Sequence, residues 1–160
     1  MSWTIPGTRL TMEREEATQI PNQFASLFLA GGLTLGQISA ITGLEGYVIQ
    51  NWTRRGFLLP PVGRRYSLAQ LCRIAAINAV KDVLAIEQIC RVLEHSGSDT
   101  ELYFLFVEAI AHRGREEAQE KTRQMQDSLQ ILCKAWAAAE AMGQANEIFR
   151  KTIQKEKDCV

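Results

Sequence analysis

The sequence predicts an all-α protein: a winged helix-turn-helix with a small two-stranded wing, followed by a helical C-terminal region with one long helix. Three observations predict it. Two short helical patterns, one after Thr34 and one after Glu45, are joined by a turn that contains Gly43. The stretch VIQNWTRRGFLLPPVGRRYS then sets two arginine pairs, Arg54/Arg55 and Arg64/Arg65, on either side of a connector that Pro60 and Pro61 keep out of helix. Beyond Arg115, apolar residues recur at spacings of four and three to about Gln154.

Taken in order, residues 1–32 read as an N-terminal extension with a short helix. The part up to Gln19 is polar and weakly patterned. Pro21 and Asn22 open a helix that Gly31-Gly32 stops. Residues 33–95 form the central unit. Thr34 is a candidate N-cap for a helix with Leu35, Ile38 and Ile41 on one face, and Gly43 ends it. The next helix places Val48, Ile49 and Trp52 inward and stops at Gly56. Leu58-Leu59 and Arg65-Tyr66 are expected to pair as the wing. Ser67 caps a mostly apolar third helix, and Ile86, Ile89, Cys90 and Leu93 give a fourth helix one apolar face. Ser96-Gly97-Ser98 is the expected internal boundary.

Residues 99–154 read as a C-terminal helical dimerisation region, and 155–160 as a tail. Asp99 or Thr100 would cap an unusually apolar helix over residues 101–112, which must be covered. In the long pattern that follows, Ala118, Thr122, Met125, Leu129, Leu132, Trp136 and Ala139 approach a heptad seam. Met125, Leu129, Leu132, Trp136 and Ala139 are the expected contact with a second subunit. The other reading is that the seam covers the apolar helix of its own chain, and both can hold at once.

Charge locates the interesting surface. The chain is neutral in total, with 18 basic and 18 acidic residues. Between Glu45 and Asp82, however, there are six basic residues and no acidic one. Screening confines a charge to roughly 8–10 Å, so a polyanion would meet this local excess and not the total. Arg55, Arg64 and Arg65 are expected on phosphates, because phosphate contacts need long cationic side chains on a rigid support. Tyr47, Gln50, Asn51 and Arg54 are expected near base edges, since Gln and Asn fit adenine bidentately and Arg fits guanine. Unrelated solvated charge is the plain alternative, but it does not account for the acid-free stretch.

Other classes lack parts. The two histidines, His95 and His112, have no recognisable nucleophile or carboxylate partner, and AGGLTLG lacks the lysine and preceding strand of a phosphate loop. No catalytic residue is expected. Cys72, Cys90, Cys133 and Cys159 show no CxxC spacing and read as reduced thiols, so no metal and no cofactor is expected. The apolar stretch over residues 24–30 is far short of the ~20 residues that span a membrane. The acidic start carries no basic leader region, and a cytoplasmic location is expected.

The strings RRGFLLP, GRRYS and LAIEQICRVL, in this order after the helix pair, resemble the winged-helix domain of MerR-type transcription regulators. The likeness covers about residues 33–95. It is similar, closer still, to a group of uncharacterised bacterial proteins with a MerR-like domain, in which IQNW and GRRYS-like strings occur. The resemblance implies that Arg54 and Arg55 form the basic end of the recognition helix. It also implies that Arg64, Arg65 and Tyr66 form the wing segment that grips phosphates. Trp52 stands where MerR-type proteins usually have Tyr, and Gln50 and Asn51 replace their usual Arg and Tyr. An apolar helix intervenes before the long one, and no cysteine metal-sensing loop follows. The expected function is therefore sequence-specific binding of double-stranded DNA by a homodimeric transcription regulator, responding to an unidentified effector or protein partner. The alternative is a protein-protein interaction module that uses the winged helix only as a scaffold.

Overall fold

The computed structural model describes residues 2–112 and 122–158. Most of these residues are helical, with one two-stranded antiparallel sheet. The strands are β1 (Ser2–Thr4) and β2 (Thr11–Glu13), with Trp3 opposite Met12. A 3-10 turn (Arg14–Gln19) leads into α1 (Ile20–Leu27), and α2 (Leu35–Thr42), α3 (Gly46–Arg54), α4 (Leu68–Val80), α5 (Ile86–Ser96), α6 (Asp99–Ala111) and α7 (Arg123–Asp158) follow.

Local sequence explains most boundaries. The Thr34 hydroxyl accepts from the Gln37 N–H, and the Gln37 side chain accepts from the Thr34 N–H. Ser67 and Gln70 repeat this reciprocal cap at α4. Gly43 and Gly97 end α2 and α5 in the left-handed conformation that a side chain resists. Helix α6 is capped by Ser98, not by Asp99 or Thr100, because the Ser98 hydroxyl reaches the Glu101 N–H and both expected caps already lie in the helix.

Helix α4 is the centre of the fold. Leu71, Cys72, Ile74, Ala75, Ala76, Ile77 and Val80 are buried, and α2, α5, α6 and α7 all pack on it. Burial pushes the Cys72 thiol from 9.0 up to about 12, so it stays protonated and acts as a small apolar group. Helix α6 is covered on both sides, as its composition requires, with Leu102, Tyr103, Phe106 and Val107 fully buried. Among the described residues, no helix is long and apolar enough to cross a membrane.

The structure adds to or changes the sequence reading at three points. The segment before α1, polar and weakly patterned in sequence, still contributes to the core: Ile5, Met12 and Ala17 join Ile20 and Phe24 there. Tyr66 does not pair with Leu58-Leu59. It bridges Leu33, while Arg65 bridges Val62, so the strand-like contacts join the connector to the segment before α2. The long helix starts at Arg123, with the Thr122 hydroxyl accepting from the Met125 N–H, and it runs past Lys155 to Asp158. Thr122 is thus a cap rather than a seam residue. Ala118 and the expected start at Arg115 lie outside the described residues.

The expected subunit seam meets the chain itself. Met125, Leu129 and Leu132 are buried, α7 packs on α5 and α6, and the Ser128 hydroxyl donates to the Val92 carbonyl. Trp136 is half-buried with its ring edge-on to Phe106, and Ala139 is half-buried. The intrachain reading therefore holds for Met125, Leu129 and Leu132, which have no surface left for a second subunit.

Candidate nucleic-acid interface

Helix α3 divides sharply by face. Ile49 and Trp52 are buried and Val48 is half-buried, while Tyr47, Gln50, Asn51 and Arg54 are exposed. The turn over residues 43–45 sets α3 against α2, and the Thr42 hydroxyl braces it by accepting from the Leu44 N–H. Two side chains then fix the connector from below. Gln70 donates to the carbonyls of Leu59 and Pro60, and Arg73 donates to the carbonyl of Phe57 at 2.6 Å. A connector with prolines and no helix of its own is held in one shape by these bonds.

At its tip the chain turns back in two residues. Val62 and Arg65 exchange both backbone hydrogen bonds at 3.0 Å. The residues between them, Gly63 and Arg64, have φ of 56° and 60°, as a tight hairpin of this kind requires. Glycine adopts that conformation freely, but arginine does not. Arg64 is the only non-glycine with positive φ among the described residues. Its side chain is exposed and gains nothing from the fold in return, which makes it a candidate contact residue. Arg64→Gly is expected to stabilise the protein by about 0.5–1 kcal/mol in chemical denaturation while weakening any polyanion binding. A loss of stability would show that the strain is relieved by contacts of the Arg64 side chain.

The two arginine pairs split in the same way. Arg55 is tied down: its guanidinium meets Glu87 of α5 at 3.2 Å and stacks 4.7 Å from the Phe57 ring centre. Arg65 is tied down as well, donating to the Gly32 carbonyl at 3.0 Å. The side chains of Arg54 and Arg64 make no hydrogen bond or ion pair with any described residue. A third tethered arginine, Arg73, is 15 % exposed and pairs with Asp99 at 3.1 Å and Glu94 at 3.6 Å. The basic excess of the sequence thus resolves into bracing arginines and free ones.

The free ones converge. An open groove of about 640 Å³ lies between α3 and the hairpin, lined by Leu35, Gln50, Thr53, Arg54, Pro61, Arg64 and Tyr66. Arg54 comes from the helix side and Arg64 from the hairpin side. Tyr66 is a correction to the expected site. It is 3 % exposed, its burial raises the hydroxyl pKa, and it belongs to the core beneath the groove instead of gripping a ligand. Leu35, Thr53 and Pro61 were not expected as lining residues. Their place depends on how α2 and the connector fold together, which residue type does not signal. Tyr47 and Asn51 are exposed on α3 but do not line the groove.

The family described as Domain of unknown function (DUF1836) matches residues 22–104, a little over half of the chain, from α1 into α6. No curated protein and no solved structure matches the chain.

Proposed function

We propose, on the premise that the chain belongs to the DUF1836 family of domains of unknown function, that it is a sequence-specific binder of double-stranded DNA and a transcription regulator. In this reading α2, the turn and α3 are a helix-turn-helix, and the hairpin at residues 62–65 is its wing, as in the MerR-type regulators that the sequence resembles. One observation carries the reading: two unpaired guanidinium groups, Arg54 and Arg64, face one open groove between an exposed helix and a rigid hairpin. A groove of that kind suits a single phosphate strand, and the exposed α3 beside it offers Gln50 and Asn51 to base edges. The stretch matched by the family contains every one of these residues.

Selection of bound duplexes from a random DNA pool tests it. An enriched motif supports specific binding, and binding without enrichment reduces the reading to a nonspecific polyanion surface. No binding at low salt leaves the second reading, a protein-interaction module. That reading draws on Leu59 and Val62, which are 75 % and 84 % exposed on the other side of the hairpin.

A further inference from the structure

A free guanidinium also stands at the other end of α3. Arg9 lies in the loop between β1 and β2, against the turn that joins α2 to α3. Four hydrogen bonds close that loop on itself. The Ile5 N–H donates to the Leu10 carbonyl at 2.9 Å, the Thr8 N–H and hydroxyl both donate to the Ile5 carbonyl at 3.0 Å, and the Leu10 N–H donates to the Thr8 hydroxyl at 3.0 Å. Ile5, Pro6 and Thr8 are buried. The Arg9 N–H then donates to the Ile41 carbonyl at 2.7 Å, one of the last-turn carbonyls that α2 leaves without a partner of its own. The side chain crosses the bare backbone of Gly43, where a Cβ would lie 2.4 Å from its Nε and 3.0 Å from its Cζ. Arg9 is exposed, and its side chain makes no hydrogen bond or ion pair with any described residue. Glu45, the acidic residue nearest to this turn in the sequence, is exposed and leaves it unpaired. The negative end of the α2 dipole favours a cation here and occupies none of its N–H groups.

We propose that Arg9 is a further phosphate contact, on the DNA strand opposite to the one held by Arg54 and Arg64. The inference rests on the DNA-binding reading and adds to the interface a segment that lies outside the family-matched residues 22–104. Position selects the ligand group. Arg54 is the last residue of α3, and Gly43 lies just before its start, so free guanidinium groups bracket the helix. Nine residues make a helix about 13.5 Å long, and the major groove of DNA is about 12 Å wide. A helix of that length seated across the groove meets one phosphate strand at each end, with Gln50 and Asn51 left for the base edges between. Rigidity matches at both ends: the closed loop fixes the backbone of Arg9 as the braced connector fixes that of Arg64. Bonding capacity matches as well. A guanidinium offers five N–H groups in a fork that fits a phosphate bidentately, and those of Arg9 are all free.

Titration of a fluorescent duplex with the full chain at several salt concentrations tests it. Arg9→Ala should weaken binding about tenfold at ~0.1 M salt and take about 0.9 from the slope of log affinity against log salt. Arg9→Lys keeps the charge and should keep the slope. Both variants retain the residue-9 N–H that ties the loop to α2, so the thermal midpoint should hold. Duplexes with single phosphates made neutral as methylphosphonates then locate the contact. The native protein should lose affinity at one phosphate to which Arg9→Ala is indifferent. That phosphate should lie on the strand opposite to the one that Arg64→Ala no longer senses. Native affinity and slope in Arg9→Ala would overturn the inference and leave the groove reading standing. Lower affinity with an unchanged slope would make Arg9 a brace for the turn and overturn the contact. Both arginines sensing one strand would overturn the placement. Failure of the native protein to bind any duplex at low salt would remove the DNA-binding reading and this inference with it.

Discussion

Replacing Arg54 and Arg64 together by alanine is expected to lower DNA affinity about a hundredfold at ~0.1 M salt. Hydrogen bonds to charged groups contribute about 1.5–3 kcal/mol each, and ~1.4 kcal/mol is a factor of ten. The salt dependence should change with the affinity. Each phosphate contact contributes a slope of about −0.9 to the plot of log affinity against log salt, so the double variant should lose about 1.8 of slope. The fold should tolerate the change, because both side chains are exposed and unpaired. Arg55→Ala and Arg65→Ala serve as the comparison. Those side chains are held by Glu87, Phe57 and Gly32, and exposed contacts of this kind are worth about 1 kcal/mol or less. Each should shift affinity by less than about threefold, a difference of ~0.7 kcal/mol. Titration of a fluorescent duplex at several salt concentrations measures all three variants. Equal losses for the two pairs would mean that the bracing contacts break on binding. Unchanged binding by the double variant would remove the groove from the interface.

The split within each pair was not legible in the sequence, where Arg54 and Arg55 are equivalent neighbours. Which of them is free depends on Glu87, 32 residues away, and on the path of Phe57 beneath α3. What could be read was local. The caps at Thr34 and Ser67, the turn at Gly43 and the stop at Gly97 involve residues within five positions, and they set the α2–α5 frame correctly. The long-range pairings failed for the same reason. Leu33 and Tyr66 meet because α2 and α3 fold back between them, and no spacing rule encodes that. The seam on α7 failed differently. Its period was read correctly, but a period does not say what covers the seam, and only packing shows that the chain's own core does. Thr53 and Leu35 entered the groove from elements already recognised, yet their role rests on the angle between those elements.

Gly7→Ala is expected to destabilise the protein by about 3–5 kcal/mol, a large part of the ~5–15 kcal/mol that holds a domain of this size. The loop between β1 and β2 looks expendable in the sequence, but it is wedged against the core. Gly7 has φ of 77°, and a Cβ there would lie 1.9 Å from the Ala75 carbonyl oxygen and 2.7 Å from its carbon. Both atoms belong to the backbone of α4, which cannot swing aside. The loop would have to lift, and two buried or half-buried bonds would go with it. Tyr103 donates to the Pro6 carbonyl at 2.7 Å, and Asn78 donates to the Gly7 carbonyl at 3.0 Å. The Tyr103 hydroxyl is fully buried, so losing its acceptor leaves a stranded polar group at about 1–3 kcal/mol. Gly56→Ala isolates the conformational part, because Gly56 has a comparable φ of 81° and open space where the methyl would sit. That variant should lose only about 1 kcal/mol. Urea titrations followed by far-ultraviolet circular dichroism compare the two. Similar losses would mean that the loop is not wedged. The same loop also ties down α2, since the Arg9 N–H donates to the Ile41 carbonyl at 2.7 Å and Asn78 spans Gly7 and Thr42. Where Gly7→Ala remains folded, its DNA affinity should therefore fall as the start of α3 loosens, although residue 7 lines no part of the groove.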